Sequence, residues 1–178
     1  MNLKICLILS IFIYSSFSVF LPAVYQQCDP RWKDFFIGFG SKTICENGSL
    51  LTSVASIVSG LHLNQGNEMV NPLQMNEWLK KNGGFQPSDH FVWDSLTPFG
   101  LKFEKISMDI NEILDAFAEE KVMIIQVVQG KEHYVVPEAI ISGAFVMMDP
   151  QAEDGVFYKL SDIFIAAIYK WTPQSILM

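Results

Sequence analysis

A serine behind a glycine at the start of an apolar helix, a histidine that opens one strand and an aspartate that closes another are the residues here that could do chemistry. They are Ser49, His133 and Asp149. The stretch Thr43-Ile44-Cys45-Glu46-Asn47-Gly48 reads as a small polar loop running into the helix that begins at Ser49. A helix N-terminus presents unpaired backbone N–H groups and a partial positive charge, so a nucleophile or an oxyanion is readily stabilised there. If His133 and Asp149 are joined through a hairpin centred near Ile141, they lie within a residue or two of opposite each other. That is close enough for a histidine–carboxylate hydrogen bond. Such a bond fixes the imidazole tautomer and leaves the second ring nitrogen free to act on a nucleophile. The plain alternative for His133 is a strand-end histidine facing water.

The elements that must hold these residues follow from the periodicity. Apolar residues at Leu50, Leu51, Val54, Ala55, Ile57 and Val58 form the stripe of a buried helix, with Gly60 as its stop. Asn71-Pro72 opens a second helix over Leu73–Lys81, closed by Asn82-Gly83-Gly84. Asp109 caps a third, with Glu112 at capping-box spacing, ending near Glu120-Lys121. The period then changes. Val122–Val128 is a continuous β-prone run, the pattern of a strand covered on both faces. His133–Val136 and Ala144–Asp149 follow, with Phe157-Tyr158 and Tyr169-Lys170-Trp171 as further strand material and a helix over Leu160–Ala167 between them. Pro137 cannot donate to a ladder, so its strand should stop or become an edge there. Helices first and an antiparallel sheet after them make an α+β domain, one layer of helices on a small sheet.

Met1–Lys4 followed by the apolar run Ile5–Tyr14 and the small residues Ser16 and Ser18 reads as a signal peptide, residues 1–18, cleaved after Ser18. The run is short of the about 20 residues that cross a bilayer; an uncleaved N-terminal anchor is the alternative. The remaining chain, 19–178, has the length of one domain. The net charge of −7 argues against a nucleic-acid surface and lends none to an anionic membrane. A secreted or secretory-lumen protein with no membrane attachment after cleavage, monomeric, is the expectation. Cys6 leaves with the signal peptide, so Cys28 and Cys45 have only each other to pair with in an oxidising compartment. Two free thiols are the alternative.

Gln27-Cys28-Asp29-Pro30-Arg31-Trp32-Lys33, Thr43-Ile44 with Gly48-Ser49 ahead of Leu51–Ala55, Trp78–Phe85, His133–Val136 and Asp149-Pro150 stand in one order along the chain. Together they resemble the papain-fold cysteine peptidases related to bacteriocin-leader peptidases, the C-39-like domains. The resemblance covers nearly all of residues 19–178. It implies a papain-like fold with Gln27 as oxyanion donor, His133 as base, Asp149 as the residue that orients it, and a peptide or protein ligand. The nucleophile position falls on Ser49, where the family has cysteine. A thiol beside a histidine at a helix start ionises readily and a hydroxyl does not, so the substitution points to a pseudopeptidase. Cys45, four residues earlier, is a strained alternative nucleophile, and pairing with Cys28 would exclude it.

The same serine completes the sequon Asn47-Gly48-Ser49, and a glycan on Asn47 would stand across the cleft. His62 and His90 stand in polar sequence with no ligand spacing around them, so neither a metal nor any other cofactor is expected. Trp32, Trp78, Trp93 and Trp171 read as core more than as groove. Three functions remain: a secreted pseudopeptidase that binds peptide or protein in its cleft, a hydrolase using Ser49 with His133 and Asp149, and a structural or surface protein for which the cleft is idle.

Overall fold

The computed structural model describes residues 16–17, 21–63, 69–87, 90–128, 132–153 and 155–172. In chain order the elements are β1 (Ser16–Phe17), α1 (Ile44–Asn47), α2 (Ser49–Leu63), α3 (Pro72–Lys81), β2 (Leu101–Ser107), α4 (Ile110–Ala118), β3 (Val122–Val128), β4 (Glu132–Ile141), β5 (Ala144–Met148), β6 (Val156–Lys159) and β7 (Ile163–Trp171). Short 3-10 turns cover Trp93–Phe99 and Leu160–Asp162. The strands run antiparallel in the order β2-β7-β3-β4-β5-β6, and β1 pairs with β4. The α+β class is the one the sequence predicts.

The sheet is covered on both faces. Leu51, Val54, Ile57 and Leu61 of α2 pack with Met75 and Leu79 of α3 against Val122, Ile124, Val136 and Tyr169. Ile113 and Phe117 of α4 pack on the other side against Met123, Ile125, Val127, Val135 and Ile168. Successive residues of β3 therefore enter different cores, which is why its apolar run has no polar alternation. A single layer of helices would leave the second set in water, and α4 supplies the second layer.

Some expectations are corrected. Gly60 does not stop α2, which continues to Leu63, and His62 falls in that last turn. Leu160–Ala167 is not a helix: Ile163–Trp171 is the strand between β2 and β3, a central position suited to its β-branched residues. The exposed, polar β2 is a strand that the sequence reading missed. At Pro137 the strand continues and becomes an edge on one side, the second of the two outcomes expected. β3 pairs with β4 only to Val135, so Pro137 takes no bond on that edge, and a register shift follows it before Ala139. Of the segment read as a signal peptide, Ser16–Phe17 pairs with Ala139–Ile140, while the cleavage point and Cys6 lie outside the described residues.

Candidate active site

The segment ahead of Ser49 is a one-turn helix and no loop. Thr43 caps α1 reciprocally with Glu46: the Thr43 N–H donates to Glu46 Oε2 at 2.8 Å and the Glu46 N–H to Thr43 Oγ1 at 3.3 Å. Gly48 then lets the chain restart as α2. A Cβ there would sit 2.2 Å from the Ile44 carbonyl oxygen, so only glycine fits the junction. Ser49 is thereby set at the first position of α2, 4% exposed.

Cys28 and Cys45 form the expected disulfide. It fastens the strap that carries Gln27 against α1, and Gln27 Nε2 donates to the Cys45 carbonyl at 2.7 Å. The Gln27 N–H donates to the Pro150 carbonyl at 2.9 Å, so one residue ties α1 to the chain just beyond Asp149. Gln27 is 2% exposed and its Oε1 has no partner among the described residues. Its amide donor is engaged by Cys45, and an oxyanion would have to compete for it. The bridge also removes Cys45 as a thiolate.

Two hydroxyls one turn apart on α2 hold a single residue of β4. The Tyr134 N–H donates to Ser49 Oγ at 3.2 Å, and Ser53 Oγ donates to the Tyr134 carbonyl at 3.0 Å. β5 last pairs at Met148 with Val136, so among the described residues no strand lies beside that edge of β4 at Tyr134, and the helix takes over. The residue in the nucleophile position thus accepts from the backbone of the residue next to His133.

His133 and Asp149 meet as the hairpin predicts. The turn at Ser142-Gly143 has φ of 53° and 79°, the left-handed pair of a tight hairpin. His133 Nε2 lies 2.7 Å from Asp149 Oδ1, with the two side chains 3% and 6% exposed. Asp149 Oδ1 also accepts from the Gln151 N–H at 2.8 Å, and Oδ2 accepts from the Tyr158 hydroxyl at 2.6 Å. Burial alone would push the Asp149 carboxyl up, but the donors from His133, Tyr158 and Gln151 outweigh it and hold it below the ordinary carboxylate value. An ionised Asp149 can only accept, so Nε2 donates to it, and in the neutral imidazole Nδ1 is the nitrogen that carries the lone pair. Nδ1 is buried and has no hydrogen-bond partner among the described residues, Ser49 included.

A cleft of about 650 Å³ opens in front of Ser49. Gln126, Tyr134 and Ile165, neighbours in register on β3, β4 and β7, line it, with Phe85, Phe91 and Trp93 among its aromatic residues. Asn47 is exposed at its rim, and Lys42, His90 and Glu132 add polar groups. Burial and the neighbouring Glu132 raise the Tyr134 hydroxyl, which stays protonated. His133, Asp149 and Gln27 are not among the lining residues, whereas the neighbours of His133 on both sides are.

No protein-family model matches the chain, and no curated protein matches it. Among solved structures it is similar to a double-glycine motif protease from an AMS/PCAT transporter, crystallised in complex with the leader peptide. The identity is 14%, over 85% of this chain and 99% of that chain, with a TM-score of 0.45.

Of the residues picked from sequence, Ser49 and His133 converge through Tyr134, His133 and Asp149 through a direct bond, and Gln27 with the Cys28–Cys45 bridge through Cys45. Tyr158, Ser53 and Gln151 were missed. Tyr158 reads as strand material, and only its contact with Asp149, nine residues away, reveals it. Trp32 is core and 1% exposed, as read, whereas Trp93 faces the cleft.

Proposed function

We propose that this protein is a secreted pseudopeptidase of the C-39-like kind, which binds an extended peptide or a protein segment in the cleft before Ser49 without cleaving it. The observation that carries the reading is the buried His133–Asp149 pair with its unpartnered Nδ1, set beside a helix start whose nucleophile position holds a hydroxyl. The base and its orienter are complete while the group they would activate is the poorer one. A serine hydroxyl is far from ionised at neutral pH, and here its oxygen accepts the Tyr134 N–H. Backbone N–H and C=O groups of a ligand would meet Gln126, which is half-buried in the cleft, and its side chains would meet the aromatic wall.

Asn47 stands at the cleft rim, so a glycan there would restrict entry. The protein acts outside the cell as a monomer in this reading, its signal peptide removed.

A hydrolase using Ser49 is the second reading, and the three donors on Asp149 favour it, since an idle site has no need of them. The two separate on one experiment: a randomised peptide library titrated against the mature protein while Trp93 fluorescence and peptide cleavage are followed together. Binding without cleavage is the expected result. Cleavage that Ser49→Ala abolishes would establish the second reading, and absence of both would remove the first.

A further inference from the structure

We infer that Tyr158 is a positioning residue of this site, the group that sets the plane of the Asp149 carboxylate and through it the tautomer of His133. The inference rests on the reading of His133 as the base. Asp149 Oδ1 accepts twice, from His133 Nε2 at 2.7 Å and from the Gln151 N–H at 2.8 Å; Oδ2 accepts from the Tyr158 hydroxyl at 2.6 Å. Without that last bond both remaining donors converge on one oxygen, and the carboxylate can swing about its Cβ–Cγ bond to offer either edge to the ring. With it, Oδ1 is committed to Nε2. A carboxylate free to swing holds Nε2–H less well, so the tautomer with its proton on Nδ1, which cannot accept a proton from residue 49, gains population.

The placement of Tyr158 is built. It is 3% exposed in β6, packed in the α4-side core, and the register Phe145 to Tyr158 holds the ring beside β5, the strand that leads into Asp149. The hydroxyl is therefore delivered by the sheet and does not depend on a loop. Tyr158→Phe removes one oxygen and keeps the ring that fills the core, so the variant folds.

The test is the ring-nitrogen NMR signature of His133 in the full-length mature protein, its Tyr158→Phe variant and Asp149→Asn as the reference for a lost carboxylate. The expected result is one tautomer, protonated on Nε2, in the natural protein and a mixture in Tyr158→Phe that moves toward the Asp149→Asn spectrum. A Tyr158→Phe spectrum identical to that of the natural protein overturns the inference, even if the melting temperature drops, because a purely structural hydroxyl would do only that. In a Ser49→Cys background, Tyr158→Phe should lower kcat about tenfold and leave KM unchanged, a part of the about 10²–10⁴-fold that a placed base supplies. Equal kcat values would also overturn it. An inactive Ser49→Cys protein counts against the peptidase-cleft reading alone, and the ring signature still decides Tyr158.

Discussion

Asp149 is a buried carboxylate with three donors, and this governs how the site responds to acid. Its folded-state pKa is depressed relative to the unfolded chain, so it stabilises the fold fully above the unfolded value and that contribution is lost as pH falls through the folded one. Acid unfolding of the natural protein should therefore be steeper than that of Asp149→Asn, whose stability should vary less as pH falls below the ordinary carboxylate value of about 4. Denaturant titrations at several pH values check this, and parallel pH profiles would contradict it. The pair itself was legible in the sequence because a hairpin brings the start of its first strand near the end of its second, and two polar side chains can reach across a small offset. Tyr158 was not, because a tyrosine in a strand looks the same whether its hydroxyl meets water or a carboxylate. Nor did the sequence reveal that Ser49 is bound by the Tyr134 N–H, a contact across 85 residues.

At the level of elements, the α1–Gly48–α2 junction and the hold of α2 on β4 position the nucleophile residue. Gly48→Ala would drive a methyl group into the Ile44 carbonyl, and a loss of about 3 kcal/mol is expected, the upper end of overpacking costs. Ser53→Ala would leave the Tyr134 carbonyl without its donor, costing about 1–2 kcal/mol. Chemical denaturation measures both, and a Gly48→Ala protein as stable as the natural one would mean that the junction can relax. The helix α3 and the strand β3 could be read from capping residues and apolar runs. The strand β7 could not, since Ile163–Ala167 fits a helical stripe as well as a buried strand, and only its place between β2 and β3 decides. Gly60 fails as a stop for a related reason: packing of α2 on the sheet outweighs the roughly 1 kcal/mol that an interior glycine costs a helix.

For the whole molecule, the cross-link and the two-faced sheet tie the halves of the site together. Gln27 bonds to Cys45 on the helical side and to Pro150 on the sheet side, and the disulfide fixes that strap. Replacing Cys28 and Cys45 with serine should cost about 3 kcal/mol by the chain-entropy estimate for a loop of this size, read as a lower melting temperature. No loss of stability would show that the strap is held by its hydrogen bonds alone. The α+β class was legible because helical and strand periods occupy different halves of the chain, whereas the second helical layer was hidden in a strand whose neighbouring residues face opposite cores.

The proposed reading is that the cleft before Ser49 is a peptidase-like site whose base and orienter are in place and whose nucleophile position carries a hydroxyl. It is tested most directly by peptide hydrolysis over a broad library with the natural mature protein, Ser49→Cys and Ser49→Cys/His133→Ala. The account predicts cleavage by Ser49→Cys only, because a thiolate at a helix start beside His133 is the nucleophile this geometry suits. Cleavage by the natural protein would contradict it and make Ser49 a working nucleophile.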